Sequence, residues 1–210
     1  MSADGIDSNV FPDQPISQLL VKVASRCNID CSYCYWFRDA AVYDKPKLMS
    51  PEVLHQLLQR IEEHVTQNSL IDFPIILHGG EPLLWGVENF HRIAEACEAI
   101  TVRTGCEIPI AVTTNGLLID DEWLNCFEAR NISVAISLDG PAHIHDIHRR
   151  TFQGDGTHAA WSEPLVCWYH ATSASARWPS AIRLIRQGNM RNSSPDVELP
   201  TTTSWSRTRR

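Results

Sequence analysis

From Leu19 to Ser25 the chain alternates apolar and polar residues in LLVKVAS, the two-residue period of a strand. The period then changes. In SPEVLHQLLQRIEEHV, Ser50 stands as an N-cap and Pro51 as the first helical residue, with Leu54, Leu57, Leu58, Ile61 and Val65 at helical spacing. The same alternation recurs downstream. PIILHGG reads as a short buried strand, and VENFHRIAEACEAI sets Phe90, Ile93, Ala94, Cys97 and Ile100 on one helical face. IPIAVTTNG is a strand, DDEWLNCFEA a helix opened by Asp120, and ISVAISLDG a further strand. Four strands alternating with three helices predict an α/β fold with a parallel sheet, either open or curling toward a barrel. Such sheets carry their sites at the carboxyl ends of the strands. Here those ends read SRCNIDC, HGGEP, TTNG and SLDG.

Composition narrows the class. Apolar residues make up 43% of the 210, and no run approaches the ~18 apolar residues of a membrane span. The first residues, MSADGIDSNVFPDQP, lack the charged and apolar regions of a signal peptide, so a cytoplasmic protein with no membrane association is expected. A formal charge of -7 argues against a nucleic-acid surface and leaves a basic peptide segment as a compatible partner. Seven cysteines in a chain of this size point to thiolate chemistry rather than a disulfide framework.

The pattern divides the chain into an N-terminal extension (1–18), an α/β domain (19–158) and an irregular tail (159–210). The tail has no sustained period, seven Arg without Lys, and four of the seven Trp. Its Ser, Thr, Pro and Arg content suits a disordered segment, whereas its tryptophans do not. The expectation is that a reading-frame change near His158 replaced the original continuation.

Cys27, Cys31 and Cys34 fall within the eight residues CNIDCSYC. Three thiolates on one loop can converge on zinc or on an iron–sulfur cluster. Structural zinc wants a closed tetrahedral shell, and no second CxxC or HxxxH pair supplies it. Three ligands on a four-iron cluster leave one iron open to a substrate or cofactor.

CNIDCSYCY resembles the CxxxCxxC loop of radical S-adenosylmethionine (radical SAM) enzymes. HGGEPLL resembles that family's Gly-Gly-Glu motif, TTNG its third-strand motif, and SLDGPAHIHDIHRR its fourth-strand segment. HGGEPLL combined with SLDGP, HD and a later Arg is most similar to the peptide- and protein-maturase branch, which includes anaerobic sulfatase maturases and often carries a C-terminal SPASM domain. The likeness covers about residues 19–158, and it implies a partial radical SAM barrel, incomplete on its C-terminal side. Only Cys167 follows, too few for SPASM auxiliary clusters.

The resemblance implies that Cys27, Cys31 and Cys34 ligate a 4Fe-4S cluster whose fourth iron is chelated by S-adenosyl-L-methionine (SAM). An electron from a flavodoxin or ferredoxin would then release a 5′-deoxyadenosyl radical for modification of a peptide or protein substrate. Tyr33, beside the last cysteine, belongs to the same cofactor loop. Gly79 and Gly80 would allow close backbone approach to the ligand, and Glu81 would accept from the SAM amine. Thr113, Thr114 and Asn115 would lie near SAM. Ser137 would meet its ribose or amino-acid part, and Arg149 its carboxylate.

Asp139 is open between a turn role and a site role. His143, His145 and His148 fit a substrate-side loop better than a metal site, and Cys97, Cys106 and Cys126 read as core residues. Trp36 and Phe37 either shield the cofactors or pack within the loop. The resemblance places the substrate-proximal acid or cysteine beyond position 158, so no catalytic acid or base is assigned. Two other readings stand beside the enzyme: a non-catalytic fragment with an unpaired sheet edge after the fourth strand, and a zinc-binding module.

Overall fold

The computed structural model describes residues 15–160 and 182–186. Its elements are β1 (Leu19–Ala24), β2 (Asp30–Cys31), α1 (Pro51–Gln67), β3 (Ile75–Gly79), α2 (Val87–Thr104), β4 (Ile110–Thr114), α3 (Asp121–Ala129), β5 (Ser133–Leu138), α4 (Ala142–His148), β6 (Arg149–Arg150) and β7 (Ile182–Arg186). β1, β3, β4, β5 and β7 form one sheet in that order, every pair parallel. β2 and β6 make a small antiparallel ladder apart from it.

The first three helices begin where the sequence predicts them. Ser50 Oγ accepts from Val53 N at 3.3 Å, and Asp120 Oδ1 accepts from Trp123 N at 3.0 Å. Gly105 ends α2 at φ 76°, a left-handed conformation that glycine adopts at no steric cost. Ser50→Ala is expected to lower stability by about 1 kcal/mol, read as a lower urea midpoint with an unchanged slope.

One sheet face carries the core. Val21 and Val23, Ile75 and Leu77, Ile110 and Val112, Val134 and Ile136 are buried on alternate positions of their strands. Phe90, Ile93, Cys97 and Ile100 of α2 and Trp123 and Phe127 of α3 belong to the same cluster. The Phe90 and Trp123 rings meet edge to face with centroids 4.8 Å apart. Cys97, Cys106 and Cys126 are buried and unbridged, as core residues should be.

Two elements go beyond the sequence pattern. α4 occupies AHIHDIH, where a loop was expected; seven residues with three histidines are too short and too polar to show a helical period. β7 lies within the stretch expected to be irregular, and it pairs with β5 from Val134↔Ile182 to Leu138↔Arg186. The edge of β5 expected to be bare therefore has a partner. IRLIR does alternate, but five residues in a segment without sustained period give little signal. The rest of the expected tail (161–181 and 187–210, including Cys167) and residues 1–14 of the expected N-terminal extension lie outside the described residues. No helix among the described residues is long and apolar enough to cross a membrane.

Candidate functional site

Parallel pairing brings the carboxyl ends of β1, β3, β4 and β5 to one edge, so the cysteine loop, HGGEP, TTNG and SLDG become neighbours. Backbone contacts fix the cysteine loop there. Gly80 N donates to Ala24 O at 2.9 Å, and Glu81 N donates to Arg26 O at 2.8 Å. The Arg26 guanidinium gathers the carbonyls of Val42 at 3.0 Å and Tyr43 at 2.7 Å, holding the turn that follows the cysteines.

A β-carbon on Gly79 would lie 2.2 Å from Ala24 O, and one on Gly80 2.3 Å from Arg26 O. The close approach that demands glycine is thus to the chain's own backbone, where the sequence had suggested a ligand. Glu81 also differs from expectation. It is fully buried, and its carboxylate accepts from Leu83 N at 3.0 Å, Thr114 Oγ1 at 2.7 Å and Asn115 N at 2.8 Å. Three of about four acceptor positions are filled from within the chain. Glu81 ties the end of β3 to the end of β4, and burial raises its pKa despite the donors.

Asn115 reaches the cysteine loop. Its Nδ2 donates to Asn28 Oδ1 at 2.7 Å and to Cys27 Sγ at 3.8 Å, while its Oδ1 accepts from Leu117 N at 3.0 Å. Cys31 is held from the other side, paired with Arg149 in the β2–β6 ladder. Ser32 N donates to His148 O at 3.0 Å, and Ser32 Oγ lies 2.8 Å from His148 Nδ1.

Asp139, undecided from sequence, is central here. Its Oδ2 accepts from Tyr33 OH and lies 3.0 Å from Arg149 Nε, in an ion pair buried on both sides. That pair has the distance of a hydrogen bond without its alignment, and among the described residues neither Arg149 Nε nor Asp139 Oδ1, both buried, has a hydrogen-bond partner. The Arg149 guanidinium also stands 5.6 Å from the Tyr33 ring centre. Of the two adjacent arginines, Arg149 is buried and Arg150 exposed.

The three histidines separate. His143 is exposed, His148 meets Ser32, and His145 is buried at 1% exposure. His145 Nδ1 lies 3.4 Å from the donating Asp139 N, and Nε2 lies 3.1 Å from Thr157 Oγ1, which donates to Arg149 O at 2.9 Å. An Nδ1 acceptor leaves the proton on Nε2, so the chain of bonds runs from Asp139 through His145 to the backbone of Arg149.

Burial, the nearby Arg149 cation and His158 lower the His145 pKa to about 4, against the opposing pull of Asp139 and Asp146. The folded pKa lies below the unfolded 6.5, so this contribution to stability is complete above 6.5 and is lost as pH falls toward 4. The expected loss is about 2–3 kcal/mol. Urea midpoints of wild type and His145→Gln measured from pH 7 to pH 4 should converge on acidification, because contributions from other groups, Glu81 included, are common to both.

Thr113 and Ser137 share the sheet face opposite the helices, since Thr113 pairs with Ala135, two residues before Ser137. His78 is on a neighbouring strand and was not singled out from sequence. Its Nδ1 accepts from Gly79 N at 2.8 Å, and burial lowers its pKa. Trp36 lies against β1, with Lys22 Nζ 3.3 Å from its ring centre, and Phe37 packs within the loop, its ring tilted to that of Tyr43 at 6.1 Å between centres.

Burial pushes the Cys27 thiol up to about 12 and the Cys31 thiol to about 11. Neither is a thiolate at neutral pH by itself, so a metal must displace the proton. Burial does the same to the core Cys97, at about 12. What distinguishes the loop is its surroundings: Asn115 Nδ2 lies 3.8 Å from the Cys27 sulfur, and the backbones of Asn28 and Ile29 pull that thiol's pKa down against burial. Among the described residues no three His, Cys, Asp or Glu side chains gather as ligands of a single ion. Three soft sulfurs on one loop, one within reach of Asn115 Nδ2 and one paired with Arg149, fit a multi-iron cluster, whose irons take one thiolate each.

The radical SAM superfamily model matches residues 21–161, and the chain belongs to that superfamily. Its cofactors are a 4Fe-4S cluster and SAM. Among curated relatives, the serine-type anaerobic sulfatase-maturating enzyme of Bacteroides thetaiotaomicron is 32% identical over 143 residues, covering 67% of this chain and 33% of its own length. The cysteine-type enzyme of Clostridium perfringens (strain 13 / Type A) is 30% identical over 138 residues, covering 65% of this chain and 36% of its own. The solved structure of native anSMEcpe with bound AdoMet and Kp18Cys peptide superposes with a TM-score of 0.66 at 25% identity, over 82% of this chain and 43% of that one. The chain thus spans about a third of the length of these curated relatives.

Proposed function

We propose that this chain is the cofactor-binding part of a radical SAM enzyme that modifies a peptide or protein. One observation carries the reading: a single edge of the sheet joins the three-cysteine loop to Glu81 and Asn115 on one side and to Asp139 and Arg149 on the other. Cys27, Cys31 and Cys34 would hold the cluster. When bound, the reduced cluster would supply the electron that breaks a C–S bond of SAM, giving methionine and a 5′-deoxyadenosyl radical able to abstract hydrogen.

The chain's own groups bind and orient. Arg149, anchored by Asp139 and by its ladder with Cys31, offers a guanidinium beside the cluster loop for the SAM carboxylate. Tyr33 closes the loop over that ion pair. Ser137 and Thr113 present hydroxyls on the face away from the helices, where SAM or substrate would lie. Gly79 and Gly80 act by letting the β3 end dock on the loop's backbone, and Glu81 and Asn115 by fixing the floor beneath it.

A flavodoxin or ferredoxin is the proposed electron donor, and the cytoplasm the proposed compartment. The peptide substrate class follows from relatives named as sulfatase-maturating enzymes and from the peptide bound to anSMEcpe. A narrower second reading, in which this chain binds cluster and SAM and cleaves SAM without modifying a peptide, is supported by the site contacts gathering around the cysteine loop.

Anaerobically reconstituted protein given SAM and a low-potential reductant should form 5′-deoxyadenosine, followed by chromatography. Mass shifts in a sulfatase-type peptide decide between coupled and uncoupled cleavage. Protein that takes up zinc stoichiometrically, without iron–sulfur absorption, would sink both readings.

A further inference from the structure

The three cysteines are not equivalent. Cys31 is paired with Arg149 in the β2–β6 ladder, whereas Cys27 has an amide donor at its sulfur. That donor comes from just beyond the end of β4, 88 positions away: Asn115 Nδ2, 3.8 Å from the sulfur.

Every polar atom of that side chain has a defined place. Oδ1 is fixed by Leu117 N at 3.0 Å and Nδ2 by Asn28 Oδ1 at 2.7 Å, so the amide cannot be turned round without losing both bonds. Its backbone N–H is held by Glu81, which is itself held by Thr114 and Leu83. The second Nδ2 proton is therefore aimed at Cys27 by the buried network rather than by chance.

We infer that Asn115 is a positioning residue for the cluster, donating an N–H···S bond to Cys27 that raises the reduction potential, rather than a contact to SAM. An N–H donated to a ligand sulfur draws charge off that sulfur, so the extra electron of the reduced cluster is easier to accommodate. The other proton of the amide bonds Asn28 Oδ1, which lies 3.8 Å from the same sulfur, and offsets part of that oxygen's partial negative charge there. This inference rests on the proposed cluster-binding role of Cys27.

The test is the midpoint potential of the reconstituted cluster, titrated anaerobically without SAM and followed by electron paramagnetic resonance, with iron and sulfide counted per chain. Asn115→Ala removes the donor. Asn115→Asp keeps the turn to Leu117 N but sets an oxygen against the sulfur, and it serves as the second variant where the alanine form fails to fold. Both potentials should fall below wild type, Asp furthest, while iron per chain in the folded alanine variant stays at the wild-type count. Wild-type potentials in both variants would overturn the inference, as would an unchanged potential accompanied by weaker SAM binding. A wild-type chain that assembles no iron–sulfur cluster would overturn the proposed function itself, and this role with it.

Discussion

Cys31→Ala is expected to abolish the iron–sulfur absorption of reconstituted protein and, with it, any cleavage of SAM. A cubane held by three thiolates has no spare protein ligand, and among the described residues no other His, Cys, Asp or Glu group stands by as part of a metal site. The substitution also leaves Arg149 beside a methyl group in place of a metal-bound sulfur. Cys126→Ala is the matched control. Cys126 is equally a free cysteine, but it is buried under α3, so its loss should cost packing while leaving iron per chain and 5′-deoxyadenosine formation intact. Equal iron content in the Cys31 and Cys126 variants would remove Cys31 from the ligand set.

Glu81→Ala should have the largest effect on stability, on the order of 3–5 kcal/mol. The side chain is completely buried, and its removal strands three donors, from Leu83, Thr114 and Asn115, where water has no access. Since domains of this kind are stable by only about 5–15 kcal/mol, most of the margin goes with it. Urea denaturation should show a far lower midpoint. Glu81→Gln, which keeps one carbonyl acceptor and the shape, should recover part of the loss. A midpoint for Glu81→Ala within error of wild type would mean that this carboxylate does not join the two strands.

The first three helices and the first four strands of the main sheet were legible because their causes are local. Ser50 and Asp120 cap helices that start within three residues of them, and the buried positions of α2 follow its period. The cysteine spacing was equally local. The connections that make a site were not. Tyr33 meets Asp139 at 106 positions' distance and Ser32 meets His148 at 116, and no period in the chain announces either. The sequence could name Gly79 and Gly80 as required, yet the reason, the backbone of Ala24 and Arg26, exists only once β1 and β3 are paired. Asn28, Asp139, His145 and Thr157 carried no motif chemistry of their own beyond turn-forming or titratable character. Their roles come from where the fold sets them. β7 escaped for the opposite reason: its alternation was visible, but too short to stand out from its surroundings.

The antiparallel pairing of Cys31 with Arg149, backed by His145 and Thr157, has a consequence for biogenesis. The cysteines emerge from the ribosome early, but the strand that braces them is made more than a hundred residues later, and Thr157 later still. A nascent chain therefore lacks that brace until Thr157 has been made. A cluster delivered to the cysteines before α4 and β6 dock would meet the loop without its second strand, so the order of synthesis favours loading after this part of the chain has folded.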